Sequence, residues 1–394
     1  MQKTISISRT GLGRVLGQAL LAILMAAVVL INLTPFLDGE GALLDFGSFY
    51  AAGEKSLRGE NPYDPDSEYI FEIVFDRVGA GGKMVNLNPP VSVLMFRSLA
   101  RFEPQTALAV WQALSALLYA GTVLLLAAEY RHSLTPVKVL WAFLLAGAWH
   151  TIVLGQIYIA LLFLGTLGWI WLKRGRPLLA GLAIGLVVAI KPNFILWPLF
   201  LLVSGSAIAF LTTVLSAAIV SAIPIPVLGV DIYRQWLSAS ALRFETLMMP
   251  GNSSIVGLTS RFGGLLPGIL LSGVIVLALL VLAWSISRRR PAVEPGTLEL
   301  VSALGILASL LSSPISWTGY TILLLPIFFS LKRWTRPLTL SAVILAVPFQ
   351  AVLLFFQTSF SAFVLLGWLY GWALLILLGV LVRKAMTTSS IQTN

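Results

Sequence analysis

Apolar stretches close to the length of a membrane helix recur along this chain, from Val15 to Val382, with short charged or turn-forming links between them. About 20 residues of helix cross the hydrocarbon core of a bilayer, and lipid offers no partners to open backbone groups. The pattern therefore restricts the chain to a bundle of membrane helices. Composition agrees, because 58% of residues are apolar and only 11% charged, well below the charged share of a soluble domain. The expected fold class is an all-α polytopic integral membrane protein, one domain over residues 1–394.

Twelve spans are expected: 14–34, 105–128, 136–150, 152–172, 177–191, 192–204, 206–229, 264–287, 297–312, 315–331, 337–357 and 361–382. The first resembles a signal peptide, but its apolar stretch is long and lacks a clear cleavage site, so it reads as a retained helix. Two long extracytoplasmic loops result, 35–104 and 230–263. Val91 to Ala100 follows Asn88-Pro89-Pro90, is short for a crossing, and is expected as an interfacial or re-entrant helix inside the first loop.

The net charge of +10 does not point to nucleic acid, because the charges cluster between spans, as topology signals and lipid-headgroup contacts do. With the N-terminus cytoplasmic, 16 of the 26 Lys and Arg residues fall inside. They are Lys3, Arg9, Arg14, Arg131, Lys138, Lys173, Arg174, Arg176, Arg288, Arg289, Arg290, Lys332, Arg333, Arg336, Arg383 and Lys384. The C-terminus is then cytoplasmic too. Ten of the 16 acids lie between Asp38 and Asp76 in the first outer loop. His150, Gln156, Lys191, Asn193, Asn252, Ser313 and Trp317 also fall at outer span ends or in outer loops, so the working site is expected to face the periplasm or exterior.

Asp45 stands just past the first span in Leu44-Asp45-Phe46-Gly47-Ser48-Phe49-Tyr50. A carboxylate at an apolar boundary suits a general base, and equally suits a helix cap. Tyr50, Tyr63 and Tyr69 line the same loop, beside the turn Asn61-Pro62-Tyr63-Asp64-Pro65. They can stack on sugars or anchor at the interface. Lys191, followed by Pro192, marks a helix break between apolar runs; a phosphate is its natural partner, and snorkelling its ordinary alternative. Arg97 and Arg101 share a helix face and suit a lipid phosphate or headgroups. Gly251-Asn252-Ser253-Ser254 with Arg261 offers amide and guanidinium groups, and Asn252 also opens a glycosylation sequon. Ser312-Ser313-Pro314-Ile315-Ser316-Trp317 is a further polar break.

Other chemistries lack their residues. There are no cysteines, and the two histidines, His132 and His150, are expected on opposite sides of the membrane. No phosphate-binding Walker loop, nucleophile elbow, HExxH motif or internal repeat occurs. No metal and no cofactor is expected.

In order along residues 42–330, the chain resembles glycosyltransferase family 87, the polyprenol-phosphate-mannose-dependent mannosyltransferases of the GT-C fold. The matching pieces are Asp45 to Tyr50, Leu57-Arg58-Gly59-Glu60-Asn61-Pro62-Tyr63-Asp64-Pro65, Asn88-Pro89-Pro90 and Gly155-Gln156. Ala180 to Gly185 with Lys191-Pro192, Gly251 to Ser254 and Ser313 to Trp317 complete the set. The resemblance implies an inverting transfer of a sugar, mannose by family habit, from a polyprenyl-phosphate donor to a glycan or glycolipid acceptor. It implies Asp45 as the base, with Lys191 and an arginine such as Arg261 or Arg97 at the departing phosphate. Donor and substrate contacts are expected among Tyr50, Asn61, Tyr63, Asn88, His150, Gln156, Asn252, Ser313, Trp317 and Tyr320. The expected setting is a bacterial inner membrane, with membrane lipids as further partners. One departure is that Trp317 is followed by Thr318-Gly319-Tyr320, where many family members carry histidine.

Two other functions compete. A polyprenyl-linked sugar flippase or transporter fits the Lys191-Pro192 break, but not the loaded outer loop or the missing repeat. A noncatalytic glycan-assembly subunit fits the aromatic loop, but has no need of Asp45.

Overall fold

The computed structural model describes residues 26–28, 30–31, 43–75, 80–241, 244–289 and 295–390. The expected first span, 14–34, lies almost wholly outside these residues, as do Lys3, Arg9, Arg14, Asp38, Glu40, Asp76 and Arg290.

The described chain is overwhelmingly helical. In order it forms α1 (Leu44–Arg58), strands β1 (Glu72–Phe75) and β2 (Ala80–Lys83), α2 (Pro90–Leu99), α3 (Pro104–Glu129), α4 (Pro136–Leu144), α5 (Ala146–Leu154), α6 (Tyr158–Lys173) and α7 (Pro177–Ile190). There follow α8 (Leu196–Val203), α9 (Ala207–Ala222), α10 (Ile225–Leu228), α11 (Ile232–Ala239), α12 (Phe244–Met248), α13 (Ile255–Ser260), α14 (Leu265–Arg289) and α15 (Pro295–Ser312). After a 3-10 turn at Thr318–Leu324 come α16 (Leu325–Ser330), α17 (Arg336–Leu345), α18 (Phe349–Phe356), α19 (Phe360–Leu365) and α20 (Leu369–Ser390).

Proline explains several helix starts. It occupies the first helical position of α2, α3, α4 and α7, where its missing N–H has no intrahelical partner to lose. Thr135 caps α4 by accepting from the Lys138 amide.

Among the described residues five helices are long and apolar enough to cross a membrane: Pro104–Glu129, Pro136–Leu154, Ala207–Leu228, Leu265–Arg289 and Leu369–Thr387. A sixth is reached if α17 and α18, bent by 79° at a break that includes Pro348, count as one. The expected spans 152–172, 177–191, 192–204, 297–312 and 315–331 correspond to apolar helices of 10–17 residues. Two expectations shift. The break placed at residue 151 lies instead at Gly155-Gln156-Ile157, and the expected span 337–357 is bent.

The apolar windows of α3, of α9 to α10 and of α14 are only 28%, 22% and 17% buried, so these helices turn most of their surface outward, as lipid-facing helices do. The centre is built by α15, the 3-10 turn and α16, where Leu304, Leu307, Leu311, Ile322, Phe328 and Phe329 are fully enclosed. α7 and α9 lie close because Gly181 and Gly185 present no side chain: a Cβ there would sit 1.7 Å from Thr212 Oγ1 and 2.5 Å from Ser216 Cβ. This is the small-residue spacing that lets membrane helices touch.

One end of the bundle is tied by charge. Glu129 accepts from Lys173 at 2.9 Å and from Arg174 at 2.6 Å, joining α3 to α6. Lys138, counted among the inner-facing charges, is buried and donates to the carbonyls of Phe329 and Leu331 at 3.2 and 2.7 Å. It caps α16 rather than meeting headgroups.

The described part of the expected first outer loop is a folded layer. α1 lies on α2 through Phe46, Phe49 and Phe96, whose rings stand 4.8–5.8 Å apart, and Phe96 meets Trp111 of α3 at 4.8 Å. β1 and β2 form an antiparallel hairpin in the register Glu72 with Lys83 and Phe75 with Ala80, a small addition to the all-α expectation.

Candidate active site

α1 begins under tension. Leu44 has φ +49°, a left-handed conformation that is costly for a branched side chain, and the next residue is Asp45. Asp45 sits in the first turn of α1 with its side chain buried. Gln156 Nε2 donates to Asp45 Oδ2 at 2.5 Å. Burial pushes the Asp45 carboxyl up from 3.8 to about 6, the hydrogen bond from Gln156 opposing the rise.

Gln156 reaches Asp45 because α5 stops sharply. Gly155 caps it at φ +64°, and a Cβ there would meet Phe46 Cβ at 2.6 Å. Glycine alone meets both demands: the left-handed turn and the contact with α1. Trp111 Nε1 donates to the Gly155 carbonyl at 2.9 Å and secures the turn from α3.

Lys191 lines the same cavity. α7 ends at Ile190 before Pro192, and the buried Lys191 side chain leaves the helix at this break. Its Nζ donates to Asn88 Oδ1 and stands 5.7 and 5.3 Å from the ring centroids of Tyr158 and Tyr320. Those rings pack 4.4 Å apart. Among the described residues Lys191 forms no ion pair.

The cavity occupies about 180 Å³, between α1, the irregular segment that follows β2, the ends of α5 and α7, α11 and the Pro314–Tyr320 segment. That is on the order of a dozen water-sized sites, the bulk of one hexose ring rather than an oligosaccharide. Among the described residues its charged lining residues are Asp45 and Lys191; Tyr158, Tyr320, Trp317, Trp236 and Phe49 supply aromatic walls.

Of the residues expected from sequence, Asp45, Asn88, Gln156, Lys191, Trp317 and Tyr320 meet at this cavity. The others do not line it. Tyr50 is buried and donates to the Phe102 carbonyl at 2.9 Å, tying α1 to the link before α3. Asn61 accepts from the Tyr63 amide at 3.0 Å, and Tyr63 OH donates to the Asn88 carbonyl at 2.9 Å, so this turn supports the cavity from behind. Arg97 lies on α2 with a buried Nη1 that has no hydrogen-bond partner among the described residues. His150 stands edge-on to Phe349 at 4.9 Å.

Asn252 knits two loops together. It accepts from the amides of Ser254 and Ser316 and donates to the carbonyls of Leu247 and Pro314. Arg261 donates to the carbonyls of Met249 and Gly367, both at 2.8 Å, and to that of Met248. Its Nε and Nη2 join the α12–α13 segment to the link before α20, while its buried Nη1 has no hydrogen-bond partner among the described residues. Ser313 accepts from Asn193 at 2.6 Å and donates to the Ile315 carbonyl.

Ser48, Tyr158, Asn193, Trp236 and Ser240 line the cavity but were not marked as site residues. Trp236 had a signal in the sequence: Ile232, Tyr233 and Trp236 form one apolar helix face, and this face packs on Ala52, Tyr63 and Val93.

A helical bundle of membrane type whose cavity is lined, among the described residues, by a buried acid and a buried cation beside aromatic rings can take a proton at the one and hold an anion at the other. The family model for glycosyltransferase family 87 matches residues 86–314, more than half of the chain, and the protein belongs to that family. No curated protein and no solved structure matches it. The matched region contains Asn88, Gln156, Tyr158 and Lys191; Asp45 and Tyr320 lie outside it and join through the fold.

Proposed function

We propose that this membrane glycosyltransferase moves one sugar, mannose by family resemblance, from a polyprenyl-phosphate donor to a hydroxyl of a glycan or glycolipid, with inversion. The observation that carries the reading is that Asp45 and Lys191, the charged residues that line the cavity among the described residues, come together in one aromatic-walled space of about 180 Å³.

In this reading Asp45 takes the proton from the acceptor hydroxyl. The acceptor oxygen attacks the anomeric carbon, the bond from that carbon to the phosphate oxygen breaks, and its electron pair leaves with the lipid phosphate. Lys191 faces the charge that develops there, in a buried site where such an interaction is strong. Gln156 holds Asp45 in line, and Tyr158, Tyr320 and Trp317 offer faces to the sugar ring. The base would act on the extracytoplasmic side of a bacterial inner membrane, in an arrangement of GT-C type, with both termini cytoplasmic.

The test is transfer of radiolabel from polyprenyl-phosphate mannose to a panel of glycolipids by the protein in lipid nanodiscs. Label is expected to pass with intact Asp45 and to stay on the donor with Asp45→Asn. Transfer undiminished in Asp45→Asn would remove Asp45 from the mechanism.

A further inference from the structure

The five residues Asn86 to Pro90 form a turn to which three distant parts of the chain are fastened. Tyr63 donates to the Asn88 carbonyl at 2.9 Å, Trp236 of α11 donates to the Leu87 carbonyl at 3.1 Å, and Lys191 donates to Asn88 Oδ1. The turn is held from within by Asn86, which is almost fully buried. Asn86 Oδ1 accepts from the Asn88 amide at 2.9 Å and from Asn88 Nδ2 at 3.1 Å, while its Nδ2 donates to Ser92 Oγ at 3.0 Å. Ser92 Oγ in turn donates to the Pro89 carbonyl at 2.8 Å.

These bonds fix which way the Asn88 carboxamide points. Its NH₂ end faces an acceptor, Asn86 Oδ1, so its oxygen must face the Lys191 ammonium. The choice of an amide has an electrostatic consequence. A carboxylate at this position would hold the ammonium equally well and cancel its charge, whereas a neutral acceptor holds it and leaves the charge whole. No carboxylate pairs with Lys191 among the described residues, so the full positive charge faces the cavity.

We propose that Asn88, oriented by Asn86, is a positioning residue that aims Lys191 into the cavity while leaving its charge uncancelled. It thereby makes the site selective for a donor whose leaving group is anionic. This rests on the reading of Lys191 as the group that meets the donor phosphate.

The experiment measures the dissociation constant of polyprenyl-phosphate mannose for the full chain in nanodiscs, in an Asp45→Asn background that stops turnover. Four proteins are compared: the background, and the background with N88L, N88D or K191M added. N88L removes the acceptor and is expected to weaken binding roughly tenfold to a hundredfold, the range for a hydrogen bond to a charged group. N88D keeps the shape but cancels the charge, and is expected to weaken binding more than N88L does. A purely structural role predicts the opposite order, because aspartate is the closer isostere of asparagine. Thermal unfolding of each protein identifies folded variants. If the N88 variants prove unfolded, N86S, which only loosens the support, is expected to weaken donor binding severalfold with the fold intact. Loss of binding in K191M, but N88D binding at least as well as N88L, overturns this proposal and leaves the phosphate reading standing; N86S binding like the background does the same where it stands in for them. Binding unchanged in K191M overturns the reading of Lys191 itself, and the proposal with it.

Discussion

Asp45 and Asp64 lie in one segment ahead of α2 and are driven in opposite directions by their surroundings. The backbone amide of Asp66, with Lys55 alongside, holds Asp64 below the usual carboxylate range; burial holds Asp45 up at about 6. Asp64 therefore behaves as a turn residue that stays ionised, while Asp45 changes state near the pH at which a base must work. The sign of the stability effect follows. The folded protein binds the Asp45 proton more tightly than the unfolded chain does, so stability falls as pH rises from about 4 to 6 and stays lowered above that. A shift from 3.8 to about 6 corresponds to about 3 kcal/mol. Asp45→Asn is expected to stabilise the protein by up to that amount at pH 8 and by little at pH 4, as read by thermal unfolding in detergent. A shift of equal size at both pH values would contradict this account. Transfer by the unmodified protein should rise with pH through an apparent value near 6.

At the scale of elements, the sequence was legible where proline, glycine and charge set the boundaries, and obscure where packing did. The starts of α3, α4 and α7 fall at Pro104, Pro136 and Pro177, close to the expected span edges at 105, 136 and 177. The end of α5 was misplaced because Thr151 to Leu154 continues an apolar run, and the true stop is the left-handed Gly155. The β1–β2 hairpin carried no alternating signal, since β2 reads Ala80-Gly81-Gly82-Lys83. At the cavity, a carboxylate and a lysine beside helix breaks could be read directly. Tyr158 could not, because an aromatic residue in an apolar helix is ordinary until the fold shows which way it faces; Trp236 was marked only by the amphipathic face of α11. Arg261 shows the converse limit: a guanidinium beside a polar loop reads as a ligand group in sequence, while in the fold three carbonyls take its Nε and Nη2 and it does not line the cavity.

For the whole molecule, the distribution of positive charge is the main guide to orientation, and the absence of cysteine makes it testable. Glu60, His132 and Arg176 are exposed and occupy three different links. Single cysteines placed there in intact cells should react with an impermeant maleimide at residue 60, and at 132 and 176 only after the membrane is permeabilised. External reaction at 176 would invert the bundle on that side and separate Asp45 from the outer face. The same global arrangement explains why the cavity contains an acid and a cation that do not pair. Each comes from a different helix end, Asp45 from the start of α1 and Lys191 from the end of α7.

The measurement that tests the central claim most directly sets donor binding against turnover in two variants. Polyprenyl-phosphate mannose binding and single-turnover transfer would be measured for Asp45→Asn and Lys191→Met in nanodiscs. The account predicts that Asp45→Asn binds donor within a few-fold of the unmodified protein and transfers nothing, while Lys191→Met loses most of its donor affinity. Donor binding lost in Asp45→Asn and kept in Lys191→Met would contradict the assignment of both walls of the cavity.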